Sequence, residues 1–266
     1  MPTYLRASLA LVLMSCSNPD PAPPPPAFER ASADETAHGE RLARVLGCLG
    51  CHGADLAGRD WSDKLGTLWT ANLTRSASTL GARDFARTVV EGQRPGGREL
   101  WDMPSYLFTQ LQPDEVAAVT RFVSSRPVTG SVHPDPSHGP ELKTKMAQGL
   151  YKSSAAEVRE KGSLLAPPAA GHDLARHITR ATCAECHGID LRGKTSPIDG
   201  RTTPDIRPLA ASYSAADFET LLTTGKAAGG RELTLMSEVA RGRYKHLTQR
   251  ERAAIHAYLS VLAEQP

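Results

Sequence analysis

The chain spells Cys-x-x-Cys-His twice, as Cys48-Leu49-Gly50-Cys51-His52 and as Cys183-Ala184-Glu185-Cys186-His187. In this pattern two thiols can add across the two vinyl groups of a haem, and the adjacent imidazole then sits beneath the iron as its proximal ligand. The chain has five cysteines, so all but Cys16 fall inside the two motifs. A Cys-x-x-Cys pair also serves as a redox disulfide or as half of a zinc site. The zinc reading needs both pairs to converge on one ion from 135 residues apart, and it leaves His52 and His187 without a task. Two covalently bound haem c groups, each with its iron, are the expectation.

What lies on the far side of each iron decides the chemistry. Downstream of the first motif stands Gly96-Gly97-Arg98-Glu99-Leu100, and Met103 follows three residues later; Gly229 to Leu233 repeat the same five residues before Met236. His52 and Met103 are 51 positions apart and His187 and Met236 are 49, enough chain to circle a porphyrin and return on its other face. Methionine is more often a core filler than a ligand. With five in the whole chain, two at matched sites of a duplicated pattern point to axial ligation. His246 is the rival to Met236 as sixth ligand of the second iron.

The elements that must position these groups repeat as well. Ala82 to Gly92 ("ARDFARTVVEG") correspond to Ala215 to Gly225 ("AADFETLLTTG"). Phe85 with Val89, and Phe218 with Leu222, sit at i, i+4 on one helical face, and the two glycines are placed to end those helices. Leu111 to Ser125 pair with Leu247 to Val261. Thr248 and Glu251 make a capping-box signature in the second copy, while Pro113, Asp114 and Glu115 open the first. Each repeat reads as a helix leading into the attachment motif, an irregular loop, a middle helix, a Met loop and a closing helix.

That order resembles class I cytochrome c, and its tandem use over residues 34–125 and 170–263 resembles bacterial dihaem cytochromes c. The resemblance implies an all-α fold of two tandem cytochrome c domains, each a few helices wrapped around a covalently bound haem. Residues 69–74 ("WTANLT"), the middle helix and the "LWDMPSY" loop further resemble cytochrome subunits of membrane-bound alcohol, aldehyde and sugar dehydrogenases. In that resemblance Asn72 is a propionate contact; the second copy offers only Thr202 to Ile206 there, and those subunits commonly carry three motifs where this chain has two.

Residues 1–16 read as an export signal, with Arg6 followed by an apolar run of eight residues that is too short to span a bilayer. Leu13 to Cys16 ("LMSC") resemble the lipobox of bacterial lipoproteins, in which the cysteine is acylated; the plain alternative is a secretory signal cut nearby. Ser17 after the cysteine implies outer-membrane sorting by the same resemblance. A Pro-rich tether over 17–33 follows, then domain 1 (34–126), a linker with a polar helix candidate (127–169) and domain 2 (170–266).

A net charge of only +2 suggests no nucleic-acid partner. Residues 28–125 carry 11 basic and 13 acidic side chains while 141–265 carry 18 and 14, which implies different redox partners for the two halves. A six-coordinate site with His and Met ligands has no open position for substrate and changes oxidation state with little rearrangement. The expectation is an exported, periplasmic, lipid-anchored electron carrier with no catalytic residue of its own. It would pass single electrons from a dehydrogenase or other periplasmic donor to a respiratory acceptor. The alternative is a dihaem peroxidase-like enzyme or sensor, which needs one open sixth site.

Overall fold

The computed structural model describes residues 24–265; the signal segment, Cys16 and residues 17–23 of the tether lie outside the described residues. The chain is mostly helical, with two short antiparallel ribbons that the all-α reading lacks. In the first half, α1 (Glu35–Val45) starts at Asp34, whose carboxylate accepts from the Ala37 amide. One turn, α2 (Cys48–His52), carries the first motif between Gly47 and Gly53, both at positive φ. Strand β1 (Gly66–Thr67) lies in the loop that follows. Then α3 (Leu73–Glu91) bends at Gly81 and stops at the left-handed Gly92. After the Met103 loop comes α4 (Pro113–Ser125).

Helix α1 crosses α4 so closely that a Cβ on Gly39 would stand 2.0 Å from the Ala118 carbonyl oxygen. Leu42, Ala43, Val45, Ala118, Phe122 and Val123 fill that crossing and its surroundings.

The segment between the halves is built rather than loose. Strand β2 (Ser137–His138) pairs with β1, Gly66 opposite His138. Helices α5 (Pro140–Ala147) and α6 (Ser154–Lys161) are short, so the single polar helix candidate resolves into two, separated by a turn with Gly149 at φ 70°.

In the second half, α7 (Asp173–Ala181) leads into α8 (Ala184–His187) with the second motif. The ribbon β3 (Lys194–Thr195) and β4 (Thr202–Thr203) precedes α9 (Ile206–Ala211) and α10 (Ala215–Thr224). Helix α11 (Leu235–Gly242) and α12 (Gln249–Ala263) complete it, and α12 packs on α7 and α9.

The halves are joined through two buried carboxylates. Glu115, 2% exposed, accepts from its own helix start at Gln112 N (2.7 Å) and from His177 Nε2 on α7 (3.0 Å). Glu251, 0% exposed, accepts from Thr248 N (2.8 Å) and from Arg41 Nη1 on α1 (2.8 Å). Between them runs the chain entering α1: Phe28 N donates to Glu115 (2.7 Å) and Glu29 N to Glu251 (2.8 Å). This corrects the tether boundary. Phe28, placed in the tether by composition, is 5% exposed and edge-on to the His177 ring, because its apolar side chain finds the seam between the halves.

Candidate functional site

Both attachment motifs sit in the same local frame. His52 Nδ1 lies 2.8 Å from the Ala71 carbonyl, and His187 Nδ1 lies 2.9 Å from the Pro204 carbonyl. A carbonyl only accepts, so each Nδ1 carries the proton and Nε2 keeps its lone pair. Such an outer hydrogen bond fixes the tautomer and the ring orientation of a metal-binding histidine. Burial lowers the pKa of both imidazoles, opposed by those same hydrogen bonds, which favours the neutral, ligating form.

The loop after each histidine repeats in detail. Gly58 N bonds to the His52 carbonyl and Gly193 N to that of His187, each at 2.8 Å. Thr70 Oγ1 donates to Cys51 O (2.9 Å) as Thr203 Oγ1 donates to Cys186 O (2.6 Å). Leu56 and Leu191, both buried, hold matching left-handed conformations at φ 60° and 63°, an uncommon state for leucine.

The cysteines Cys48, Cys51, Cys183 and Cys186 are unpaired, and burial raises each thiol, Cys48 to about 12. No group of three or more His, Cys, Asp or Glu side chains among the described residues is arranged to hold a metal ion, so the zinc reading lacks its cluster.

His52 and Met103 line one cleft of 770 Å³, with Cys51, Leu73, Phe85 and Val89 among its walls. That volume falls in the range of sites for large organic ligands, about 300–1,000 Å³. Thiol, a neutral imidazole with a fixed tautomer, thioether and apolar walls make a donor set that fits haem c. Arg75, Arg94 and Arg98 also line the cleft and bring positive charge to it, and sequence reasoning passed over all three.

The first cleft is covered by the connecting segment. Asn72 caps α3, accepting from Arg75 N (3.1 Å) and Thr74 Oγ1 (2.8 Å), while its amide donates to Thr129 O (2.7 Å) and Ser131 O (3.3 Å). Both polar atoms of that side chain are therefore engaged. Asn72 also lines the cleft of His52 and Met103. His133 stacks on Trp69 with ring centroids 4.2 Å apart and its Nε2 meets the Ala57 carbonyl. Beside Met103, Tyr151 stacks on Trp101 and donates to Asp102 Oδ2 (2.5 Å), fixing the Met loop from outside.

The second site is framed differently. Met236 stands in the first turn of α11, not in a loop, packed against the hydrophobic core. Ser237 clamps it there, accepting from Leu233 N (2.7 Å) and donating to Gly225 O (2.5 Å). His246 lies against the first half: the charges that bear on it include Arg44, Glu40 and Arg41 of α1, and burial lowers its pKa. The ring of His246 is thus placed at the contact with α1, while Met236 is held on α11.

No curated protein matches the chain. Residues 170–263, from the approach to α7 through the end of α12, match the family model described as Cytochrome c. The match supports a cytochrome c domain over this stretch, and such a domain implies covalently bound haem c with its iron and a role in electron transfer.

Proposed function

We propose that the chain is a dihaem electron carrier built from two cytochrome c units in tandem, residues 34–126 and 170–266. The observation that carries this reading is the repeated frame around His52 and His187, in which a backbone carbonyl holds each imidazole by Nδ1. Cys48 and Cys51 would hold the first haem and Cys183 and Cys186 the second; His52 with Met103, and His187 with Met236, would ligate the irons. Haem c bound in this way supplies a one-electron Fe(III)/Fe(II) couple.

The chain's own part is to keep each site closed and still. The carbonyls of Ala71 and Pro204 prevent ring rotation, Ser237 and the Tyr151–Asp102 bond hold the methionine segments, and the apolar walls exclude water. Methionine on the sixth side leaves no position for substrate, which sets this reading apart from a peroxidase-like enzyme or a sensor. Export to the periplasm, acylation of Cys16 and anchoring at the outer membrane complete the proposal. The donor would be a dehydrogenase or other periplasmic protein and the acceptor a respiratory one.

The test is the visible spectrum of the dithionite-reduced protein lacking residues 1–16, before and after carbon monoxide. Two covalent haems per chain and no spectral change support the proposal. A carbon monoxide adduct on either haem of the unaltered protein would move it to the enzyme or sensor class.

A further inference from the structure

One mostly covered guanidinium bridges the second attachment motif and the chain entering the first. Arg243 follows α11, the helix that carries Met236. Its Nη1 pairs with Glu185 Oε2 at 2.7 Å, and Glu185 lies inside the second motif between Cys183 and Cys186. Its Nη2 donates to the Leu46 carbonyl at 2.7 Å, two residues before Cys48. Gly47 makes the approach possible: it sits at φ 87°, and a Cβ there would fall 1.9 Å from Arg243 Nη2. The pair is mostly out of water, with side-chain exposures of 13% for Arg243 and 26% for Glu185. Screening of a charge in such a place is weak.

Resting on the dihaem reading, we propose that Arg243 with Glu185 is a positioning and tuning pair shared by both cofactor sites. It ties the second attachment motif to the segment entering the first and sets both reduction potentials through its mostly covered charges. A buried positive charge favours the reduced form of a neighbouring iron, and a buried negative charge favours the oxidised form. The two partners therefore act with opposite signs on both sites, although each belongs in sequence to the second half alone.

The experiment uses the exported, haem-loaded protein and the variants Arg243→Gln and Glu185→Gln. Haem content by pyridine haemochrome comes first, then spectroelectrochemical titration of both haems, with Soret circular dichroism reporting their mutual geometry. For Arg243→Gln both midpoints fall, by about tenfold in the reduced-to-oxidised ratio at fixed potential, which is 59 mV for a one-electron couple. For Glu185→Gln both rise, with the Soret signal retained, since the amide oxygen still accepts from Arg243. The rise alone decides the matter if Arg243→Gln does not fold. Two haems with only one midpoint responding, or with both variants shifting the potentials in the same direction, would overturn this inference and leave the dihaem reading standing. One haem per chain in the unaltered protein would overturn both.

Discussion

Gly39→Ala tests whether the α1–α4 crossing is as tight as its geometry implies. The added Cβ would stand 2.0 Å from Ala118 O and 3.1 Å from Phe122 Cβ. Carbon and oxygen in contact need about 3.3 Å, so the two helices must part by roughly 1.3 Å along that line. A gap of ~0.5–1 Å already forfeits a quarter to a half of the dispersion well for each atom pair it opens. Overpacking of this kind costs about 1–3 kcal/mol. An overlap this deep against backbone takes the upper part of that range, ~2–3 kcal/mol; alanine returns ~0.5–1 kcal/mol through its better helix propensity, which leaves a net loss of about 1–2.5 kcal/mol. For a protein of this size, at ~2–4 °C per kcal/mol, Tm should fall by about 2–10 °C. The assay is thermal melting of the haem-loaded protein at 222 nm, with Gly242→Ala as the control. Gly242 is also helical, nothing lies within 4 Å of its added Cβ, and that variant should melt at or slightly above the parent temperature. A Gly39→Ala protein that melts no lower than the parent would refute the reasoning.

Phe28→Ala should destabilise by about 3–5 kcal/mol, as for other buried phenylalanines, and denaturant melts of this variant would read the loss directly. Met103→Ala opens the sixth side of the first site, so reduced protein should form a carbon monoxide adduct on half of its haem. An adduct no larger than in the parent would remove Met103 as ligand. Asn72→Ala removes a helix cap worth ~1 kcal/mol together with the strap's anchorage, and limited proteolysis should then cut faster within residues 127–135. The pH dependence follows from His38, whose pKa is lowered by burial and by Arg41 and Arg30. Its folded-state pKa lies below the unfolded value, so the unfolded chain binds the extra proton. Stability is whole above about pH 6.5 and falls as pH drops below it. Urea melts between pH 7 and 5 should show a shallower decline in His38→Gln.

The helix leading into each Cys-x-x-Cys-His, the middle helix and the closing helix could be read from residue type and spacing, because local chemistry fixes them. The glycine stops at Gly92 and Gly225 and the Thr248–Glu251 cap are of the same kind. Long-range pairing left weaker marks. Phe28 sits next to a run of prolines whose composition argues for a tether, and nothing nearby announces the seam that buries it. Asn72 was noticed through resemblance, but its partners, Thr129 and Ser131, lie more than fifty residues on and are engaged through backbone atoms that carry no sequence signature. Arg243 looks like one surface arginine among several; only the fold brings Leu46 and Glu185 to the same guanidinium. The repeat implies a Met loop in both copies; in the second, α11 begins at Leu235 and Ser237 Oγ holds its approach through Leu233 N.

The dual service of Glu115 and Glu251 bears on how the protein comes apart. Each carboxylate starts its own helix and at the same time grips the first helix of the other half, so neither task can be lost alone. Fraying of α4 releases His177 and the chain at Phe28; withdrawal of the second half uncovers a carboxylate that α4 still needs. Local and global unfolding are thereby made one event, and the halves should melt as a single cooperative unit. Neither half stands independent of the other, and a fragment cut at the linker would expose a carboxylate that has lost its partner across the seam.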